Sequence, residues 1–232
     1  MSNIVIVESK NDEFFMKAMV KQLNCDIEVE PPLYKIDEYK PLSGLDETKL
    51  TNALKALKAE LPKRDIEDIV KIGIIIDIDN YSEQERLEFV DRCIKQAFEA
   101  ESLSSTKQFI NISGDNGTKA KLACYFTNFE GQGELETLLK AIKAKESPHA
   151  DCLYSWKSCI EKEGKQINQK GFDKFWVSIY LRYDTCSKQD RKQAEKKCSM
   201  LNFDYVMEHK EGIWDWDNSA LNDLKDFFKL FC

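Results

Sequence analysis

The stretch Ile69–Asp79, IVKIGIIIDID, decides the fold. Up to Ile78 it is a β-branched apolar run, short enough for a strand and apolar on both faces, as in the interior of a parallel sheet. It ends in two acids, Asp77 and Asp79, at spacing i and i+2. In an extended strand those side chains share one face. Carboxylates at the end of so apolar a strand cost several kcal/mol unless they are solvated, paired or metal-bound.

A second run of the same kind opens the chain. Asn3–Val7, NIVIV, leads straight into Glu8, with Asp12 four residues later. Between the two runs, Phe15, Met16, Met19, Val20 and Leu23 fall on one side of a helix. Ile27–Val29 reads as a short strand before the break at Pro31-Pro32, and Leu50, Leu54, Leu57 and Leu61 mark a helix stopped by Pro62. Beyond Asp79, Leu87, Val90, Ile94, Ala97 and Phe98 give another helix. Gln108–Ile112 and Ala123–Phe126 give two more strands around the turn-rich SGDNG of 113–117, which lacks the lysine and Ser/Thr of a P-loop. Leu135, Leu138, Leu139 and Ile142 complete the alternation with a helix. Strands alternating with helices to residue 144 imply an α/β, Rossmann-like parallel sheet flanked by helices.

Residues 145–232 read differently, as a helical extension packed on that sheet. Leu153, Trp156 and Ile160 share a helix that Gly164 ends. Phe172, Phe175, Trp176, Ile179, Tyr180 and Tyr183 keep helical spacing and read as core or partner interface. A last helix, 220–231, follows the capping residues Asp217, Asn218 and Ser219.

The composition narrows the function classes. With 232 residues and 42% hydrophobic content the chain supports a sizeable core. Its net charge of −7 argues against a broad electrostatic grip on nucleic acid, although residues 145–197 hold 12 Lys and Arg against 8 Asp and Glu. Asn3–Val7 is too short for a signal peptide or membrane span, so a cytoplasmic protein without membrane attachment is expected. The eight cysteines form no CxxC pair and the only histidines are His149 and His209, which gives zinc little support. Reduced thiols are expected.

Glu8, Asp77 and Asp79 suit the all-oxygen coordination of magnesium, since neither His nor Cys is required. Competing readings stand beside this one. Glu8 and Asp12 also fit the first turn of a helix, where acids complement the dipole, and so do Glu134 and Glu136. A strand ending in DxD also occurs in nucleotide-sugar transferases that hold Mn²⁺, but Glu8 then has no role.

In Ile4-Val5-Ile6-Val7-Glu8-Ser9-Lys10-Asn11-Asp12, Ile74-Ile75-Ile76-Asp77-Ile78-Asp79 and Gly131-Gln132-Gly133-Glu134-Leu135-Glu136-Thr137-Leu138-Leu139, the chain resembles the Toprim family, including OLD-type nucleases and small bacterial Toprim-like proteins. Its end, Ile213-Trp214-Asp215-Trp216-Asp217, is similar to those small proteins too. The resemblance implies a Toprim-like sheet, Glu8 as general acid/base or metal ligand, and Asp77 and Asp79 holding Mg²⁺ (or Mn²⁺). It implies Asp12 and Glu136 as auxiliary ligands, and hydrolase activity as a nuclease on DNA or RNA. An ATPase protein partner, as in bacterial phage-defence pairs, is implied too, because the chain has no Walker A motif. A catalytically silent Toprim-like interaction protein is the alternative. Ser9 stands where the family has glycine, and Thr127-Asn128-Phe129-Glu130 where relatives have a proline and an aspartate. Topoisomerase and primase are disfavoured, because neither a nucleophilic tyrosine nor primase modules can be assigned.

Overall fold

The computed structural model describes residues 3–30, 45–61, 70–114 and 117–232. The breaks expected at Pro31, Pro32 and Pro62, the strand start at Ile69, and Asp115-Asn116 of the turn lie outside those residues. The chain divides into two compact units, one formed by Met1–Thr127 with Asp223–Cys232, the other by Asn128–Asn222.

The first unit holds strands β1 (Asn3–Val7), β2 (Ile27–Glu30), β3 (Val70–Asp77), β4 (Glu99–Ala100), β5 (Ile110–Ser113) and β6 (Lys119–Thr127). They form one sheet in the order β2-β1-β3-β6-β5-β4. The four strands β2, β1, β3 and β6 are parallel, while β5 is antiparallel to β6 and β4 to β5. The sheet is therefore mixed where the sequence reading expected it parallel. The physical reason is connection length: a parallel crossover needs a dozen or more residues, whereas β5 and β6 are joined by a short turn. Gly114 N donates to Thr118 O at 2.7 Å and closes that turn. Two-residue β4 is too short to leave a periodic signal.

Helices α1 (Lys10–Leu23), α2 (Glu47–Glu60) and α3 (Glu83–Ala97) belong to the same unit. The chain moves from β1 to β2 on one side and then to β3 on the other, and right-handed crossovers put α1 and α2 on opposite faces. Leu50, Leu54 and Leu57 of α2 and Leu87, Val90 and Ile94 of α3 pack with Ile4, Ile6, Ile72, Ile74 and Ile76, the alternate residues of β1 and β3. Phe15, Met16 and Met19 of α1 are fully buried.

The second unit contains α4 (Leu135–Ala141), α5 (Pro148–Lys162), α6 (Gln169–Ile179, continued by a π turn over Tyr180–Asp184), α7 (Ala194–Lys197) and α8 (Phe203–His209). It begins at Asn128, not at 145, so α4 belongs with the helical half rather than with the sheet. Its core carries Trp176 stacked on Tyr180 (ring centroids 5.2 Å) and Tyr180 against Trp214 (5.5 Å). The Tyr180 hydroxyl donates to Ile213 O at 2.7 Å and accepts from Lys145 N at 3.0 Å. The aromatic stripe splits: Phe172, Trp176 and Tyr180 are buried, whereas Phe175 and Tyr183 are exposed.

The last helix, α9 (Asn222–Lys229), returns the chain to the first unit. A Cβ at Gly73 in β3 would meet Val5 Cγ2 at 2.9 Å and Phe231 Cζ at 3.0 Å, so glycine is what admits the C-terminal aromatics to the sheet. Cys25 and Cys232 are disulfide-bonded, as are Cys186 and Cys198. This corrects the expectation of reduced thiols, which rested on the cytoplasmic reading; cysteines 207 positions apart are brought together by the fold. Among the described residues, no helix is long and apolar enough to cross a membrane.

Candidate metal centre

The chain leaves β1 in one direction and reaches β3 in the other, which makes the β1/β3 edge the topological switch point of the sheet. In open α/β sheets, ligands bind outside the carboxyl ends of the strands at this place. Val7 pairs with Ile75, so Glu8 and Asp77 leave the sheet side by side. Glu8 Oε2 accepts a hydrogen bond from the Asp77 backbone N–H at 3.1 Å. That bond fixes a carboxylate of one strand to the end of the next.

Asp77 is the last residue of β3 and pairs with Thr127 of β6. Ile78 N still donates to Thr127 O at 3.0 Å, but Asp79 turns to φ 55°, the left-handed region that aspartate tolerates better than most residues. Strand alternation therefore does not carry past Asp77, contrary to the sequence argument for one shared face. The turn nonetheless leaves one carboxylate oxygen of Asp77 and one of Asp79 within 4.8 Å of each other. Both residues are half-buried.

Arg86 of α3 was not anticipated. Its side chain is 5% exposed, and its Nη2 binds Asp79 Oδ2 at 2.6 Å. Its Nε donates to Ile78 O at 3.4 Å, and its guanidinium lies 4.7 Å from the Tyr81 ring. Asp79 thus has a resident cation, whereas Glu8 and the Asp77 backbone are joined to each other. The only sequence signal was an arginine next to Leu87 on the apolar face of α3, seven residues after the DxD.

Asp12 serves the helix that follows β1. Its Oδ2 accepts from Ser9 N at 3.0 Å and from Ser9 Oγ at 2.5 Å, while Asp12 N donates to Ser9 Oγ at 3.3 Å. This reciprocal capping box starts α1. The box depends on the Ser9 hydroxyl, which a glycine at position 9 would lack. Asp12 is 3% exposed.

Glu136 lies in the second unit, in the first turn of α4. Burial pushes its carboxyl above the ordinary value, with Lys174 opposing and Glu134 adding to the rise. Glu134 is buried, and its Oε2 binds Lys170 at 2.8 Å and Lys174 at 3.4 Å. Upstream, Asn128–Gly131 form a tight turn: Phe129 and Gln132 exchange backbone hydrogen bonds, and Asn128 Oδ1 accepts from Gly131 N at 2.9 Å. At Asp215-Trp216-Asp217, Asp215 Oδ1 accepts from Asp217 N at 3.1 Å, and Asn218 caps the turn before α9 by accepting from Ala220 N at 3.0 Å.

No curated protein and no solved structure matches the chain. A family model described as "Protein of unknown function (DUF3226)" matches residues 2–232. The chain, from the β1 carboxylate to the C-terminal helix, belongs to the DUF3226 family.

Proposed function

We propose that the first unit holds Mg²⁺ (or Mn²⁺) at the ends of β1 and β3 and that the protein processes phosphodiesters of DNA or RNA in the Toprim manner. The observation that carries this reading is the Glu8–Asp77 hydrogen bond at the switch point of the sheet, which puts two acidic positions at one strand edge. The donor set fits the ion, because carboxylate oxygens of Asp77 and Asp79 lie close together with neither thiol nor imidazole required. A magnesium ion at such a site lowers the pKa of bound water and neutralises charge on a leaving oxygen. In this proposal Asp77 and Asp79 bind the ion, Glu8 is the acid/base group held by the Asp77 amide, and Asp12 keeps Ser9 and α1 in place. A protein partner supplies ATP hydrolysis where the pathway needs it.

One observation favours the silent alternative, an interaction protein with a vestigial site. Arg86 already neutralises Asp79 at 2.6 Å, and a guanidinium there repels a divalent cation. The two readings separate in one assay. Supercoiled plasmid, single-stranded DNA and tRNA are incubated with the full chain in Mg²⁺ or Mn²⁺, beside Asp77→Asn, a change that spares the backbone N–H to Glu8. The proposal expects cleavage that falls by at least about tenfold in the variant, the lower end of what changes at a metal site produce. Equal cleavage by both proteins contradicts it, and cleavage by neither favours the silent reading.

A further inference from the structure

The second unit presents a surface that the metal-centre proposal does not use. On α5, Cys152, Trp156 and Cys159 are all exposed and follow one another at spacings of four and three, which puts them on one helix face. Trp156 is 39% exposed and meets Phe175 of α6, 38% exposed, edge to face at 5.3 Å. The two helices run antiparallel: His149 at the start of α5 stacks on Tyr183 at the far end of the α6 helix, at 5.8 Å. The result is a shallow apolar band with two thiols and two large rings, and it breaks with the rest of the aromatic stripe, where Phe172, Trp176 and Tyr180 are buried. Scattered exposed apolar residues are ordinary, but a contiguous set of this kind marks an interaction surface.

The charges at the ends of the band indicate its occupant. Arg182, exposed, lies beside Tyr183 at the end where α5 begins, and Glu163, exposed, caps α5 at the opposite end. A band with a cation at one end and an anion at the other is complementary to itself under a two-fold rotation, the symmetry of an isologous dimer. The same rotation, centred beside Trp156, sets Cys152 of one copy opposite Cys159 of the other. A polyanion fits less well, because Lys170 and Lys174 of α6 are engaged by Glu134 at 2.8 and 3.4 Å.

We propose that two copies of this chain associate through the α5–α6 band, antiparallel, with Trp156 and Phe175 at the centre. Arg182–Glu163 pairs between copies set the register more than the affinity, since exposed ion pairs contribute roughly 0–1 kcal/mol.

The thiols provide the test. Among the described residues the other free cysteines, Cys93 and Cys124, are buried, so mild oxidation with copper–phenanthroline reads Cys152 and Cys159. The full chain is expected to yield a covalent dimer, two thiols losing their hydrogens to the oxidant for each bond formed. Cys152→Ser and Cys159→Ser are each expected to lose it, because like cysteines sit about 10 Å apart along the helix axis in this arrangement. An equal mixture of the two variants is expected to regain it. Sedimentation equilibrium of the unoxidised chain is expected to give twice the monomer mass, reverting to monomer with Phe175→Glu, whose folding is checked by circular dichroism. A monomer at every concentration, or covalent dimers formed equally by each single variant, overturns the proposal.

Discussion

The buried acids of the helical unit and Glu8 of the sheet unit meet different kinds of partner. In the helical unit, Asp173 is completely buried and receives Lys140 at 2.8 Å, Thr137 Oγ1 at 2.9 Å and Gln169 Nε2 at 2.8 Å. Glu134 is likewise matched by Lys170 and Lys174. A helix places a long cationic side chain within reach of a neighbouring helix at every turn, so buried carboxylates there become ion pairs. In the sheet unit, Glu8 and Asp77 leave strands whose flanking residues are Ile and Val, and Glu8 Oε2 accepts a hydrogen bond from a backbone amide. Arg86 compensates Asp79. Ion-paired acids of this kind hold helices together, whereas the Glu8 bond ties the carboxylate after one strand to the end of the next.

That contrast predicts its own largest effect in Asp173→Ala. Removing one member of a buried ion pair leaves Lys140 and Thr137 without their partner, and about 3 kcal/mol of stability is expected to disappear in urea denaturation. Asp77→Asn, nearly isosteric and keeping the backbone N–H to Glu8, is expected to cost less than about 1 kcal/mol. Equal losses at the two positions would break the comparison.

A smaller effect sharpens it. Glu136 has its folded pKa raised above the ordinary 4.5, chiefly by burial. The folded state therefore holds the proton more tightly than the unfolded chain. The cost of ionising Glu136 is absent below the ordinary value, grows as pH rises towards the raised one, and is constant above it. Glu136→Gln is expected to be more stable than the native chain at neutral pH, with the gain fading as pH falls through that window. Thermal melts at a series of pH values check this, and a gain independent of pH would contradict the assignment.

The sequence made the candidate site legible where burial on two faces leaves a strong signal. NIVIV and IVKIGIIIDI could only be inner strands, and the acids after them had to emerge at the sheet's carboxyl edge. Features set by contacts distant in sequence were not legible. The left-handed turn at Asp79 and its pairing with Arg86 depend on how α3 returns over the strand end. The antiparallel β5–β6 hairpin follows from a loop too short for a crossover, which strand periodicity alone does not weigh. The Cys25–Cys232 bond and the return of α9 to the sheet are consequences of chain path. The boundary at Asn128 was missed because α4 continues the strand–helix alternation while belonging to the other unit. Trp156 and Phe175 keep core-like helical spacing yet face outward, which periodicity cannot distinguish from burial.

The central claim is that the ends of β1 and β3 hold a divalent cation. Titrating Mn²⁺ into the full chain and following the free ion by electron paramagnetic resonance measures this without reference to any substrate. The account predicts one saturable site that Mg²⁺ competes for, weakened at least about tenfold by Asp77→Asn, as expected for loss of a ligand. Identical binding by the native and variant chains, or no saturable binding by either, would contradict it.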